Sequence, residues 1–224
     1  MKKFFTLIAA VAMAASVNAQ TNVTEWNFSN WDAKEYLETF TKDGLTLVVG
    51  SNSNGKVSGF TIDANTKTID EVTYTQRLKT GGKGDFDNDG KPLLRVLTFQ
   101  VSGPSNIYVA ASTSNKTDSK VLTIDVLENG AEKASNVGTI NFAANEVKGE
   151  TVTYNGKGGV IYMYQNGGLN YYDVKITPAT STGITSIEAS ASAKADATFN
   201  LAGQQVSDSY KGIVIKNGKK MLNK

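Results

Sequence analysis

The chain has 224 residues, with 23 basic and 21 acidic side chains and neither histidine nor cysteine. That composition excludes disulfide staples, thiolate or imidazole zinc sites, and mechanisms built on a Ser-His-Asp or Cys-His pair. It also argues against nucleic acid as a partner, because removing the two lysines of the leader described next leaves 21 basic residues against 21 acidic, with no net basic footprint for phosphate.

Lys2-Lys3 precede an apolar run from Phe4 to Val17 that closes on Val17-Asn18-Ala19, the pattern of an export signal over residues 1–19 that is removed ahead of Gln20. Without cysteine the cleaved end carries no lipid anchor, and no later segment approaches the ~20 apolar residues of a membrane-spanning helix. From Thr24 to Thr177 short apolar runs alternate with Gly, Asn, Asp and Ser, the rhythm of an all-β domain. Strands are expected near Glu25–Phe28, Leu45–Val49, Phe60–Ile62, Ile69–Arg77, Leu94–Val101, Ile107–Ala111, Val121–Leu127, Val137–Phe142, Glu150–Tyr154, Val160–Tyr164 and Leu169–Thr177. One short helix is expected over Asp32–Phe40, where Asp32 and Glu35 have capping-box spacing and Tyr36 and Phe40 stand one turn apart.

The expected fold is therefore an antiparallel, jelly-roll-like β-sandwich over residues 20–178. Alternation assigns its faces: Leu97, Phe99 and Val101 point one way and Thr98 and Gln100 the other, and Ile107 and Val109 oppose Tyr108. Asn166-Gly167-Gly168 suggests a tight hairpin that would set Tyr162 and Tyr164 opposite Tyr171 or Tyr172. Residues 179–197, rich in Ala, Ser and Thr, read as a linker, and residues 198–224 as a separate tail. No internal repeat of solenoid length is present.

Asp85-Phe86-Asp87-Asn88-Asp89-Gly90 has the alternating carboxylates of the first half of a calcium loop. The twelfth position is Val96, not Glu, and a strand follows, which excludes an EF-hand; a looser calcium site on Asp85, Asp87 and Asp89 and a solvated acidic turn both remain. Thr80-Gly81-Gly82-Lys83-Gly84 lacks the spacing of a phosphate loop and reads as a turn. Acidic pairs such as Asp70-Glu71 carry no catalytic meaning without a cleft between them. Aromatic faces stack on sugar rings, and the candidates are Trp31, Tyr108, Tyr162, Tyr164, Tyr171 and Tyr172, with Tyr162, Tyr164 and Tyr171 expected to face outward. Lys79, Arg95, Asn166 and Asn170 are candidate partners for sugar hydroxyls or uronate carboxylates.

Trp26-Asn27-Phe28-Ser29-Asn30-Trp31, Asp43-Gly44-Leu45-Thr46, Leu78-Lys79-Thr80-Gly81-Gly82, Val101-Ser102-Gly103-Pro104, and Gly159-Val160-Ile161-Tyr162-Met163-Tyr164 with Tyr172-Asp173-Val174-Lys175-Ile176 together resemble a known type of module. It is the non-catalytic β-sandwich found beside pectate lyases and other polysaccharide-degrading enzymes in secreted Bacteroidetes-type proteins. The resemblance implies a secreted or cell-surface carbohydrate-binding module for a polysaccharide, including acidic plant glycans. The alternatives are a structural or adhesive surface protein and a small polysaccharide lyase or hydrolase. Leu201-Ala202-Gly203-Gln204-Gln205-Val206 and Lys211-Gly212-Ile213-Val214-Ile215-Lys216-Asn217-Gly218-Lys219-Lys220 are similar to the C-terminal signals of the type IX secretion route, shortened at the upstream side. That similarity implies the outer-membrane secretion machinery as a partner.

Overall fold

The structure, a computed structural model, describes residues 23–114, 116–179, 198–200, 205–207, 210–216 and 219–223. The leader and nearly all of the expected linker lie outside them. The chain divides into two compact units, residues 1–181 and 182–224.

In the first unit the strands run β1 Thr24–Asn27, β2 Glu35–Tyr36, β3 Phe40–Lys42, β4 Leu45–Val48, β5 Gly50–Ser51, β6 Val57–Ser58, β7 Phe60–Ile69, β8 Val72–Lys79 and β9 Asp85–Phe86. They continue as β10 Pro92–Leu94, β11 Val96–Val101, β12 Ser105–Thr113, β13 Lys120–Glu128, β14 Ser135–Phe142, β15 Val147–Tyr154, β16 Gly159–Gln165 and β17 Leu169–Pro178. Among the described residues one main sheet has the order β15-β12-β17-β8-β7-β2, with β1 also on β17, and the other has the order β14-β13-β16-β11-β4-β3. All their pairings are antiparallel. We call the first sheet A and the second sheet B.

A side-chain period of two makes the core. Leu45 and Leu47, Leu97, Phe99 and Val101, Leu122, Ile124 and Val126, and Ile161 and Met163 line the inner face of sheet B. Phe60, Ile62, Leu78, Ile107, Val109, Val174 and Ile176 face them from sheet A. Trp26 joins this cluster and donates its indole N–H to the Asp43 carbonyl at 3.0 Å, so its one polar atom is satisfied.

The expected helix over Asp32–Phe40 is absent. In its place a short 3-10 turn, Phe28–Asn30, is capped by the Asn27 side chain on Ser29 N–H at 2.9 Å, and β2 and β3 follow. Glu35 and Tyr36 find backbone partners on Thr61 and Phe60, so sheet pairing supplies what helix hydrogen bonds would have. Tyr36 and Phe40 still meet, ring centres 5.0 Å apart, and join Trp31 and Phe28 in an aromatic plug. Trp31 is buried in that plug, with Lys42 over its ring, and offers no platform to solvent.

The expected strand Ile69–Arg77 is broken by a two-residue turn. Asp70 and Glu71 both take positive φ, 48° and 67°, which closes the β7–β8 hairpin with Ile69 opposite Val72. The tip of this hairpin covers part of sheet A's outer face: Ile69 and Tyr74 form a small second core with Ala110 and Tyr172. Tyr108 donates to Asp70 at 2.9 Å and Tyr172 to Asn65 at 2.7 Å, which ties the arm down. Beneath it Asp173, 2% exposed, accepts from Tyr74 at 3.3 Å through one oxygen while the other has no partner. Burial, then the nearby Glu25 carboxylate, pushes the Asp173 carboxyl up to about 7.

The second unit has β18 Thr198–Asn200, β19 Gln205–Val206, β20 Gly212–Lys216 and β21 Lys219–Asn223 in a sheet of order β19-β18-β20-β21.

Because the folded pKa of Asp173 lies above that of an unfolded carboxyl, its protonation stabilises the arm fully below about pH 4, and that stability is lost as pH rises through about 7. Thermal melts should therefore show Tm falling between pH 4 and 8 in the native protein. Asp173→Asn should flatten that slope and raise the unfolding free energy at pH 8 by on the order of a few kcal/mol, with Tm higher than that of the native protein. Parallel slopes for both proteins would exclude Asp173 as the cause.

Candidate functional site

Sheet B keeps much of its outer face open. There a groove of about 670 Å³ is floored by Tyr162 and Tyr164 of β16 and Asp125 and Leu127 of β13. One wall is Phe86 with Asn88 to Lys91 of the β9–β10 hairpin, and the other is Glu132 to Ala134 of the β13–β14 loop. The volume lies inside the ~300–1,000 Å³ of ordinary ligand clefts.

Cross-strand register builds the floor, since Tyr164 lies opposite Thr123 and Tyr162 opposite Asp125. The Tyr164 hydroxyl donates to Asp125 Oδ2 at 2.8 Å, and Asn136 Nδ2 donates to Asp125 Oδ1 at 2.8 Å. Both carboxylate oxygens are thus engaged and the carboxylate is held in one orientation, with lone pairs left for a ligand hydroxyl. Burial, with Asp125 adding to it, pushes the Tyr164 phenol up to about 12, and burial raises that of Tyr162. Both remain neutral donors at physiological pH.

Phe86 stands against the two tyrosines, 4.8 Å from the Tyr164 ring in an edge arrangement and 6.0 Å from that of Tyr162. It is held there by the acidic turn that follows it. Asp87 Oδ1 accepts from the backbone N–H groups of Asp89 at 2.9 Å and Lys91 at 2.8 Å, and Gly90 supplies the positive φ. Asp85 Oδ1 accepts from Phe86 N–H, and its other oxygen faces Lys83 at 3.7 Å. Asp87 thus acts as a turn acceptor, and among the described residues no group of three or more acidic side chains is arranged to hold a metal ion. The turn's place in the fold is the wall of the groove.

The residues singled out from sequence are therefore divided. Tyr162, Tyr164 and Asp89 come together in the groove. Tyr171 does not: it is completely buried between the sheets and donates to Gln165 Oε1 at 2.8 Å. The expected closing hairpin does not exist, because β16 belongs to sheet B and β17 to sheet A, and Asn166 to Gly168 cross between them. Tyr172 faces outward from sheet A yet is also buried, under the β7–β8 arm. Lys79 lies on sheet A beside Arg77, both paired with Asp63, at 3.1 and 2.8 Å. Arg95, at a φ of 55°, packs beside Gly82, and burial lowers its pKa. Neither lines the groove. Asn166 accepts from Val121 N–H at 2.9 Å, tying the crossover to β13.

Phe86, Asp125, Lys91, Glu132 and Lys133 escaped the sequence reading. One signal was available for Phe86, a lone aromatic between two aspartates. Asp125 carries none, since an acid on the polar face of a strand is an ordinary residue until Tyr164 and Asn136 are placed beside it.

No family model matches the chain, and no curated protein matches it in sequence. Among solved structures, the K2 cleaved adhesin domain of Lys-gingipain superimposes with a TM-score of 0.44 at 11% identity, over 70% of this chain and 98% of that one. The CBM1 of BiXyn10A without ligand gives 0.31 at 13%, over 70% and 97%. The CBM22-1–GH10 modules of Clostridium thermocellum endo-1,4-beta-D-xylanase 10B, solved with xylohexaose, give 0.31 at 15%, over 78% of this chain and 30% of that one.

The geometry makes Gly84 a support of the floor, because a Cβ there would lie 2.7 Å from Tyr164 Cβ and 3.1 Å from the Arg95 carbonyl oxygen. Gly84→Ala should cost about 1–3 kcal/mol in denaturant unfolding. Gly130→Ala, where a Cβ meets nothing within 4 Å, should cost only the strain of its φ of 84°. Equal losses at the two glycines would remove Gly84 as a support.

Proposed function

We propose that the first unit is a non-catalytic carbohydrate-binding module that holds a stretch of polysaccharide in the groove on sheet B. The observation that carries this reading is the floor: the half-buried Tyr164 side chain lining the groove beside Phe86, with a carboxylate fixed next to it by two donors. A sugar ring presents an apolar face edged by hydroxyls, and this floor offers the complement, a ring edge to cover and an acceptor of fixed direction. The cleft is open along the sheet, which suits a chain lying across it.

The polar lining combines Asp89, Asp125 and Glu132 with Lys91 and Lys133. Acids outnumber bases there, and Lys79 and Arg95 lie elsewhere, so the groove is assigned to the neutral, hydroxyl-rich part of a glycan. We further propose export of the chain, with residues 198–224 directing passage to the cell surface, on the strength of the leader and the Lys-Gly-Ile-Val-Ile motif of the tail.

Isothermal titration with soluble neutral polysaccharides, xylan and mixed-linkage β-glucan, tests the groove. Tyr164→Ala should weaken binding by tenfold or more, in line with the ~1–3 kcal/mol carried by aromatic anchors at interfaces. Tyr164→Phe, which keeps the ring and frees Asp125, should lose less. Tyr171→Ala should instead lower stability by about 3–5 kcal/mol, as other large core truncations do. A folded Tyr164→Ala protein with native affinity, or no binding to any glycan on an array, would end the reading.

For export, a form lacking residues 198–224 should accumulate inside the cell envelope, with the native form on the surface in a protease-shaving assay. Equal surface delivery would dispose of the sorting role.

A further inference from the structure

On sheet A, away from the groove, a smaller pocket of about 190 Å³ has the opposite character. Lys67, Arg77 and Lys116 line it, and no acidic side chain does. Apart from Val147, the remaining lining is hydroxyl and amide, from Ser112, Thr113 and Ser114 at and just past the end of β12, Asn65 of β7, Asn145, and Asn170 and Tyr172 of β17.

Much of that polar lining is already pinned. Tyr172 donates to Asn65 at 2.7 Å and lies 3.4 Å from Ser112 Oγ, and Asn170 Nδ2 reaches Ser112 Oγ at 3.3 Å. Ser114 donates to the Gly168 carbonyl at 2.7 Å. Thr113 is different, because its buried Oγ1 has no hydrogen-bond partner. A buried hydroxyl left unmatched is destabilising, and a ligand oxygen would relieve it.

The charges are also unbalanced. Arg77 is matched by Asp63, but Asp63 is shared with Lys79, so two cations face one carboxylate. Burial opposes ionisation of Asp63, yet its hydrogen bonds to Arg77 and Lys79 outweigh that and hold it below the usual carboxylate range. It stays charged and committed. Glu146, next to Asn145 on the rim, is likewise occupied, with Ala143 N–H and Lys148. Lys67 and Lys116 have no ion pair among the described residues.

We propose that this pocket is a second binding site, for an anionic substituent on a sugar ring, either the carboxylate of a uronic acid or a sulfate ester. Lys67 and Lys116 supply the free charge, Thr113 Oγ1 donates to an anionic oxygen, and Asn170 and Asn65 border the ring hydroxyls. At about 190 Å³ the pocket falls below the usual ligand-cleft range, which fits a single charged residue rather than a chain. An acidic polysaccharide would then be read on two faces, its ring surfaces in the groove and a charged residue here.

The test is amide NMR titration of the native protein with sodium glucuronate, glucose 6-sulfate, glucose and inorganic sulfate. Shifts at Ser112, Thr113, Ser114 and Asn170 are expected with glucuronate or glucose 6-sulfate, weakening as salt rises, and the more effective of the two names the anion. Glucose should leave these amides unmoved. Lys67→Gln with Lys116→Gln, both at exposed positions, should weaken the response at least tenfold, and Thr113→Val should weaken it with the charges intact. Tyr164→Ala should leave it unchanged, so that failure of this site and failure of the groove are separable. No response to either sugar anion, a response untouched by the double lysine variant, or tighter binding of inorganic sulfate than of both sugar anions would overturn the assignment.

Discussion

The structure depends on how the chain gets from one sheet to the other between β16 and β17. Gln165, 1% exposed, sends its amide N–H to the carbonyls of Gly82 at 2.9 Å and Arg95 at 3.3 Å, and its carbonyl accepts from Tyr171. Thr80 Oγ1 accepts from Leu169 N–H at 3.0 Å, and Gly84 N–H donates to the Gln165 carbonyl at 2.8 Å. The crossover and the glycine-rich loop therefore satisfy each other's buried polar groups in a region that excludes water. Loss of one member strands several others, which is why such networks fix geometry more firmly than their individual bonds suggest. Both pockets hang from this tie. It sets Tyr162 and Tyr164 on the outer face of sheet B, and on its far side it sets Asn170 and Tyr172 on the outer face of sheet A.

The two outer faces have different fates because the β7–β8 hairpin is long. Eight or more residues per strand carry it past its pairing with β17, which involves only Lys79 and Leu78, and Ile69 and Tyr74 reach the apolar spots at Ala110 and Tyr172. The part of sheet A around Ala110 and Tyr172 is thereby covered. Sheet B has no such cover, and its groove is walled by two shorter excursions, the β9–β10 hairpin and the β13–β14 loop.

The sandwich was legible in the sequence wherever one face of a strand is apolar and the other is not. Leu97, Phe99, Val101, Ile107 and Val109 all point as alternation requires. Alternation fails where both faces are covered, as at Tyr171 and Tyr172, since it says that adjacent side chains oppose each other but not what lies above either. Local signals also lost to tertiary pairing. The capping-box spacing at Asp32 and Glu35 was overridden by the edge of β7, and Asn166-Gly167-Gly168 joins two sheets rather than two paired strands. Asp70-Glu71 concealed a turn because neither residue is glycine, although aspartate tolerates positive φ better than most. For the groove, the aromatic floor could be named from β16 alone. Its acid and its walls could not, because they come from other strands and loops, Asp125 lying 39 residues from Tyr164, whose register no local pattern reveals.

Protonation separates the two halves of the molecule in a way that bears on function. The groove phenols are held neutral by burial, so both remain hydrogen-bond donors across the physiological range. Asp173 instead changes charge within that range, and it sits beneath the arm on the opposite sheet. A proton there gives the unmatched oxygen a hydrogen to donate in the direction of Glu25, and removing it leaves a buried carboxylate near that exposed one, whose charge Lys175 offsets in part. The arm, which also contributes Asn65, Lys67 and Arg77 to the basic pocket, is then held less firmly as pH rises. The proton on Asp173 thus bears on how the arm is held, and the arm supplies three of the side chains that line the basic pocket, whereas the phenols of the groove lie on the other sheet.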